Sequence, residues 1–109
     1  MNEKTAVSQF IGGIVGGLGQ ALFEETLMDH RTGRFVNANL GEYHVPVNAD
    51  VPTINSFFIE ERDDHVNPLG TKGIGELAYA GVAAAVANAV FHATGKRIRR
   101  LPITLDKLL

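Results

Sequence analysis

Residues 68–76 read Pro-Leu-Gly-Thr-Lys-Gly-Ile-Gly-Glu, and here the residue types could do chemistry. Gly70, Thr71, Gly73 and Gly75 are small or flexible, Lys72 puts a cation among them, and Glu76 places a carboxylate where a helical pattern begins. A glycine-rich approach to a helix N-terminus leaves backbone N–H groups free for an anion and lets a ligand come close to the main chain. Lys72 would add a full positive charge to such a cradle, or it is an exposed loop lysine. Glu76 also has two readings: a first-turn acid stabilised by the helix dipole, or a general base. The dipole and Lys72 would favour its carboxylate form, whereas burial against a ligand would favour the protonated form.

Other patterns fail at decisive positions. Gly70 and Gly75 have the end spacing of a phosphate-binding loop, but Glu76 stands where the phosphate-binding lysine belongs. Gly17 and Gly19 resemble the start of a dinucleotide fingerprint, but Leu22 replaces the third glycine and no strand precedes it. His30, His44, His65 and His92 lack metal-ligand spacing, so no residue is assigned to a metal. Without cysteine the chain can offer neither a disulfide nor a thiolate ligand to zinc or iron–sulfur. The basic residues Lys96, Arg97, Arg99 and Arg100 could hold phosphate or form a solvated group at the negative end of a helix dipole.

These residues must be positioned by a small set of elements. Apolar spacing predicts a helix over 8–28, with Gly12, Gly13, Gly16, Gly17 and Gly19 inside it at a cost of up to about 1 kcal/mol each. Close packing of another backbone on the Gly12/Gly16 and Gly13/Gly17 face would compensate; room for a cofactor beside Gln9 is the other reading. A second helix is predicted over 76–94, buried on most sides because apolar residues surround it, with Gly95 ending it in the left-handed conformation. Between the helices lie a turn at 30–34 with Gly33 at positive φ and a short strand at 35–37. An irregular traverse with extended residues at 43–45, a strand at 53–60 and a solvated acidic loop at 60–65 follow. Residues 98–103 are expected to be extended, and Thr104 to cap a last turn. The fold class is α+β, two main helices with a few short strands.

At 109 residues with 45% hydrophobic and 20% charged residues, the chain fits one domain, 1–109. A net charge of −2 gives no reason to expect nucleic acid or an acidic membrane surface. The apolar stretches 10–23 and 77–90 fall short of the roughly 20 residues that span a bilayer, and no signal-peptide pattern opens the chain. A cytoplasmic placement is expected, or a periplasmic one if a partner subunit carries it.

Several motifs occur together: Gln9 with Gly12, Gly13, Gly17, Gly19, Glu24 and Glu25; Gly33-Arg34; Asn37, Asn39, Tyr43 and Pro46; Asp50 and Pro52; Lys72-Gly-Ile-Gly-Glu76. In this order they resemble the C-terminal end of the molybdenum-binding (large) subunit of the xanthine dehydrogenase and aldehyde oxidoreductase family. Runs 43–52 and 102–109 are most similar to the bacterial periplasmic aldehyde oxidoreductases. The resemblance implies part of a molybdopterin-binding domain in an enzyme oxidising aldehydes to carboxylic acids, the alternative substrate being an N-heterocycle of the xanthine or isoquinoline kind. It implies that Glu76 is the base taking a proton from a metal-bound hydroxyl. It further implies that Gln9, Lys72, Gly73, Ile74 and Gly75 contact the molybdopterin dinucleotide, usually the cytosine form. Iron–sulfur and FAD groups would sit on partner domains or subunits. Because the family subunit is several times longer, this chain would hold one wall of the site and be inactive alone. The competing readings are a truncated, non-catalytic remnant that self-associates across apolar surface, and an independent anion-binding module.

Overall fold

Asn2 starts the first helix: its Oδ1 accepts the Thr5 N–H at 3.4 Å and its carbonyl accepts the Thr5 hydroxyl at 2.9 Å. In the computed structural model, which describes residues 2–109, helix α1 spans Glu3–Leu22 rather than the expected 8–28. The polar cap at Asn2 moves the start upstream of the apolar pattern. The other end comes earlier than expected because the Phe23 and Glu24 N–H groups both turn back to the Gly19 carbonyl.

A small hairpin follows, β1 (Met28–Asp29) antiparallel to β2 (Arg34–Phe35), with Met28 opposite Phe35 and Asp29 opposite Arg34. Gly33 turns it at φ 68°, as expected. The Asp29 carboxylate accepts the Arg31 N–H and the Thr32 hydroxyl, which fixes the turn. Asn37, buried at 8% exposure, holds the hairpin's neck by accepting the Leu27 N–H and donating to the Glu25 carbonyl.

The strand expected at 53–60 does not form, finding no ladder partner among the described residues, and the one expected at 35–37 lies at Arg34–Phe35. Residues 43–45 and 98–103, expected to be extended, belong to no helix or strand. Phe57 and Ile59 are 84% and 85% exposed, while Phe58 packs edge-on against Phe10 with ring centroids 5.8 Å apart. Residue Ile103 is buried, and its N–H reaches the Ala21 carbonyl at 2.7 Å, pinning the last segment to the end of α1. Thr104 precedes the last 3-10 turn, Leu105–Leu108.

The second helix also differs from expectation. A 3-10 turn, Leu77–Tyr79, comes first, and α2 runs only Val82–Thr94, ending on Gly95 at φ 73° as expected. No α2 residue is buried, so the helix expected to be covered on most sides is covered on one. That side meets the glycine face of α1. A Cβ added at Gly13 would stand 3.1 Å from the Tyr79 backbone, one at Gly16 about as close to the Tyr79 ring, and one at Gly17 against Val82. Gly12 faces open space, so close packing accounts for Gly13, Gly16 and Gly17 but not for Gly12. The apolar stretch is longer than the expected 77–90, since Leu77–Thr94 is apolar enough by length and composition to cross a membrane. The regular helix within it has 13 residues, a length of about 20 Å. The architecture is α+β, two helices and a two-stranded sheet, and Ala6, Ala21, Pro102 and Ile103 are among its buried residues.

Candidate functional site

Two distant pieces of sequence meet in one hydrogen bond. The Gln9 side-chain amide on α1 donates to the Gly75 carbonyl at 2.8 Å, across sixty-six positions of chain. Gly75 sits at φ 31°, and its freedom from a Cβ lets the chain turn there before Glu76. The Leu77 N–H returns to the Ile74 carbonyl and the Tyr79 N–H to the Glu76 carbonyl, both at 2.9 Å, so the backbone of Glu76 lies between two fixed turns. Its side chain is exposed, and it precedes the 3-10 turn rather than opening a long helix. A helix dipole therefore does less for Glu76 than expected, because one short turn aligns few peptide units.

Next to this bond lies a cleft of about 310 Å³ lined by Asn2, Thr5, Ala6, Gln9, Lys72 and Ile74. Asn2, Thr5 and Gln9 recur at helical spacing on one side of α1 and face the loop. The lining offers amide and ammonium donors suited to a phosphorylated or carbonyl-rich ligand, while the Thr5 hydroxyl, which gives its proton to the Asn2 carbonyl, is left as an acceptor. A Cβ at Gly12, Gly73 or Gly75 would meet nothing within 4 Å, so the main chain is approachable on both walls. Of the six residues singled out from sequence, Gln9, Lys72 and Ile74 line the cleft, Gly75 is bonded to Gln9, and Gly73 and Glu76 adjoin them in the chain.

Lys72 departs from the simple cradle. Its ammonium lies 3.2 Å from the Glu61 carboxylate and 3.6 Å from that of Asp63. Its hydrogen bond to Glu61, then the negative charges of Glu61 and Asp63, hold the lysine above its ordinary pKa of 10.5. The Asp63 carboxyl is held below 3.8, first by the His65 N–H and then by the Lys72 charge. Lys72 and Glu61 are exposed and Asp63 is partly so. Such pairs are weak and exchangeable, and an arriving anion can compete for the same ammonium.

Sequence reasoning passed over several residues that shape this region. Asn67 sits at the centre of the loop before Lys72, and the Asn-Pro dipeptide at 67–68 was its available signal. The Tyr43 hydroxyl donates to the Glu24 carboxylate at 2.9 Å, which raises the phenol's pKa and ties the traverse to the end of α1. Two members of the basic cluster have partners within the chain. Lys96 donates to the Leu108 and Leu109 carbonyls, and Arg97 bonds Asn88 while stacking 3.8 Å over the Phe91 ring.

Comparisons with known proteins agree on one relationship. Residues 1–52 match the molybdopterin cofactor-binding domain family. The aldehyde oxidoreductase molybdenum-binding subunit PaoC of Escherichia coli K12 is 51% identical over 109 residues, all of this chain and 15% of that protein. The putative xanthine dehydrogenase molybdenum-binding subunit XdhA of the same organism is 40% identical over 108 residues, covering 99% of this chain and 14% of that protein. Quinoline 2-oxidoreductase from Pseudomonas putida 86 superposes with a TM-score of 0.87 at 33% identity, over 99% of this chain and 14% of that one. The chain thus spans about one seventh of the length of the relatives it matches.

Proposed function

Because the chain belongs, as a segment, to the molybdenum-binding subunits of the xanthine dehydrogenase family, we propose that it supplies one wall of a molybdopterin site in an enzyme oxidising aldehydes to carboxylic acids. The observation that carries this reading is the Gln9–Gly75 hydrogen bond, which joins the helix wall of the cleft to the loop ending in Glu76. The cleft's amides, hydroxyl and ammonium fit the phosphates and the ring edges of a pterin dinucleotide. In the bound state the molybdenum group supplies a Lewis-acidic centre that accepts two electrons. Gln9, Lys72, Gly73, Ile74 and Gly75 hold and orient the dinucleotide, which we assign to the cytosine form. Glu76 accepts a proton at its carboxylate during turnover, the role of a general base. Iron–sulfur and FAD groups on partner subunits would take up those electrons. Higher identity to the aldehyde oxidoreductase subunit than to the xanthine dehydrogenase and quinoline relatives favours an aldehyde over an N-heterocycle.

The test is reconstitution with the remaining subunit polypeptide and its partners. Molybdenum content and aldehyde oxidation are expected in the mixture and absent from this chain alone. Glu76→Gln keeps shape while removing basicity, so turnover falls by about two to four orders of magnitude with molybdenum retained. Unchanged turnover removes Glu76 from the mechanism. The second reading, a remnant without cofactor, draws on the α2 helix, which is covered on one side only, and metal-free protein under every combination decides for it.

A further inference from the structure

We infer that Asn67 is the positioning residue of the candidate site: its side chain sets the shape of the segment that delivers Lys72, Gly73, Ile74, Gly75 and Glu76 to the cleft. This rests on the proposed function for its catalytic meaning and on the geometry alone for its structural meaning. A single partly buried amide closes the loop. Its Oδ1 accepts the Leu69 N–H at 3.0 Å, the Thr71 N–H at 3.2 Å and the Thr71 hydroxyl at 3.3 Å, and its Nδ2 donates to the Thr71 carbonyl at 2.6 Å. The Gly70 N–H also returns to the Asn67 carbonyl at 3.0 Å, with Gly70 at φ 62°. Both backbone polar groups of Thr71, the residue just before Lys72, are therefore taken by one side chain. The peptide plane that launches the glycine segment is fixed in orientation, and no regular element shares the task. Gln9 fixes the far end of the same segment at Gly75. Residues 72–74 are thus suspended between two amide side chains, one on α1 and one in the loop itself.

Asn67→Ala and Asn67→Asp test this. Aspartate keeps an acceptor for the Leu69 and Thr71 N–H groups and loses the donor to the Thr71 carbonyl. Amide hydrogen exchange on the full chain is expected to speed up about tenfold at Leu69 and Thr71 in the alanine variant, and less in the aspartate variant, with the α1 and α2 amides unchanged. In the reconstituted enzyme, the alanine variant is expected to lower kcat about tenfold or more with KM little changed and molybdenum retained, and aspartate to restore part of kcat. Exchange at Leu69 and Thr71 indistinguishable from the parent overturns the inference, as does an unchanged kcat for Asn67→Ala in the enzyme with Glu76 intact, once Glu76→Gln has separately been found to abolish turnover. If Glu76→Gln leaves turnover intact, the base assignment falls instead, and the exchange rates alone then decide for or against Asn67.

Discussion

Lys72 has two claims on its charge, the carboxylates beside it and the ligand proposed for it. Asp63 has a lowered folded-state pKa, so its ionised form favours the folded loop; that contribution is present above 3.8 and is lost as pH falls through the lower folded value. Lys72 has a raised folded-state pKa, so its contribution is full below 10.5 and is lost as pH rises through the higher folded value. The ionic tie across the loop therefore holds at neutral pH and loosens at both extremes. NMR titration is expected to place the Asp63 midpoint below 3.8 and that of Lys72 above 10.5. Neutralising the pair by Glu61→Gln with Asp63→Asn is expected to return Lys72 to its ordinary value. At this scale the sequence was legible where a residue's type declared its chemistry, as at Lys72 and Glu76. It was illegible where the partner lay far along the chain or where many partners share one side chain: nothing local to Lys72 announces Glu61, and nothing local to Gln9 announces Gly75.

Among the elements, α1 shows what its glycines are for. An alanine at Gly17 would place its Cβ into Val82, whereas one at Gly12 meets open space. Gly17→Ala is expected to cost about 1–3 kcal/mol by overpacking, and Gly12→Ala to gain up to about 1 kcal/mol of helix propensity, both read as shifts in the midpoint of thermal unfolding. Equal effects at the two positions would sink this account of the helix contact. The presence of both helices, the turn at Gly33 and the stop at Gly95 were readable from periodicity and glycine placement. Element boundaries were not, because Asn2 caps through a side-chain bond and the second helical stretch divides at 80–81 into two pieces that both lie against α1. The strand expected at 53–60 failed for a related reason. Its β-branched and aromatic residues favour a pleated surface, but no neighbouring strand supplies the ladder, and Phe57 and Ile59 project outward.

The molecule as a whole is spread out. Its radius of gyration is 17.7 Å. A compact chain of this length has about 13 Å. Among the described residues no large side chain is fully buried, and Leu40, Phe57, Ile59, Leu69 and Leu105 are each more than four-fifths exposed. Such surface marks an interface or an association site. The isolated chain is therefore expected to bind a hydrophobic dye and to self-associate in sedimentation experiments, and to lose both properties on mixing with the remaining subunit polypeptide. A monomeric chain that leaves the dye dark would show that this surface needs no cover. Composition could not reveal this, since an ordinary fraction of apolar residues is equally compatible with a closed core.

The bond from Gln9 to Gly75 has a bearing on how such a gene can be rearranged. Its two ends come from opposite sides of the hairpin and the long traverse, so a breakpoint anywhere in 23–71 would leave them on different products. A crossover there between related genes would join a helix from one parent to a loop from the other, and because the acceptor is a main-chain carbonyl the bond then depends on the helix parent's side chain at position 9 and on the loop's path. Exchange of 9–75 as one block keeps the pair intact. Chimaeras built on that block keep the helix and the loop that one parent matched to each other.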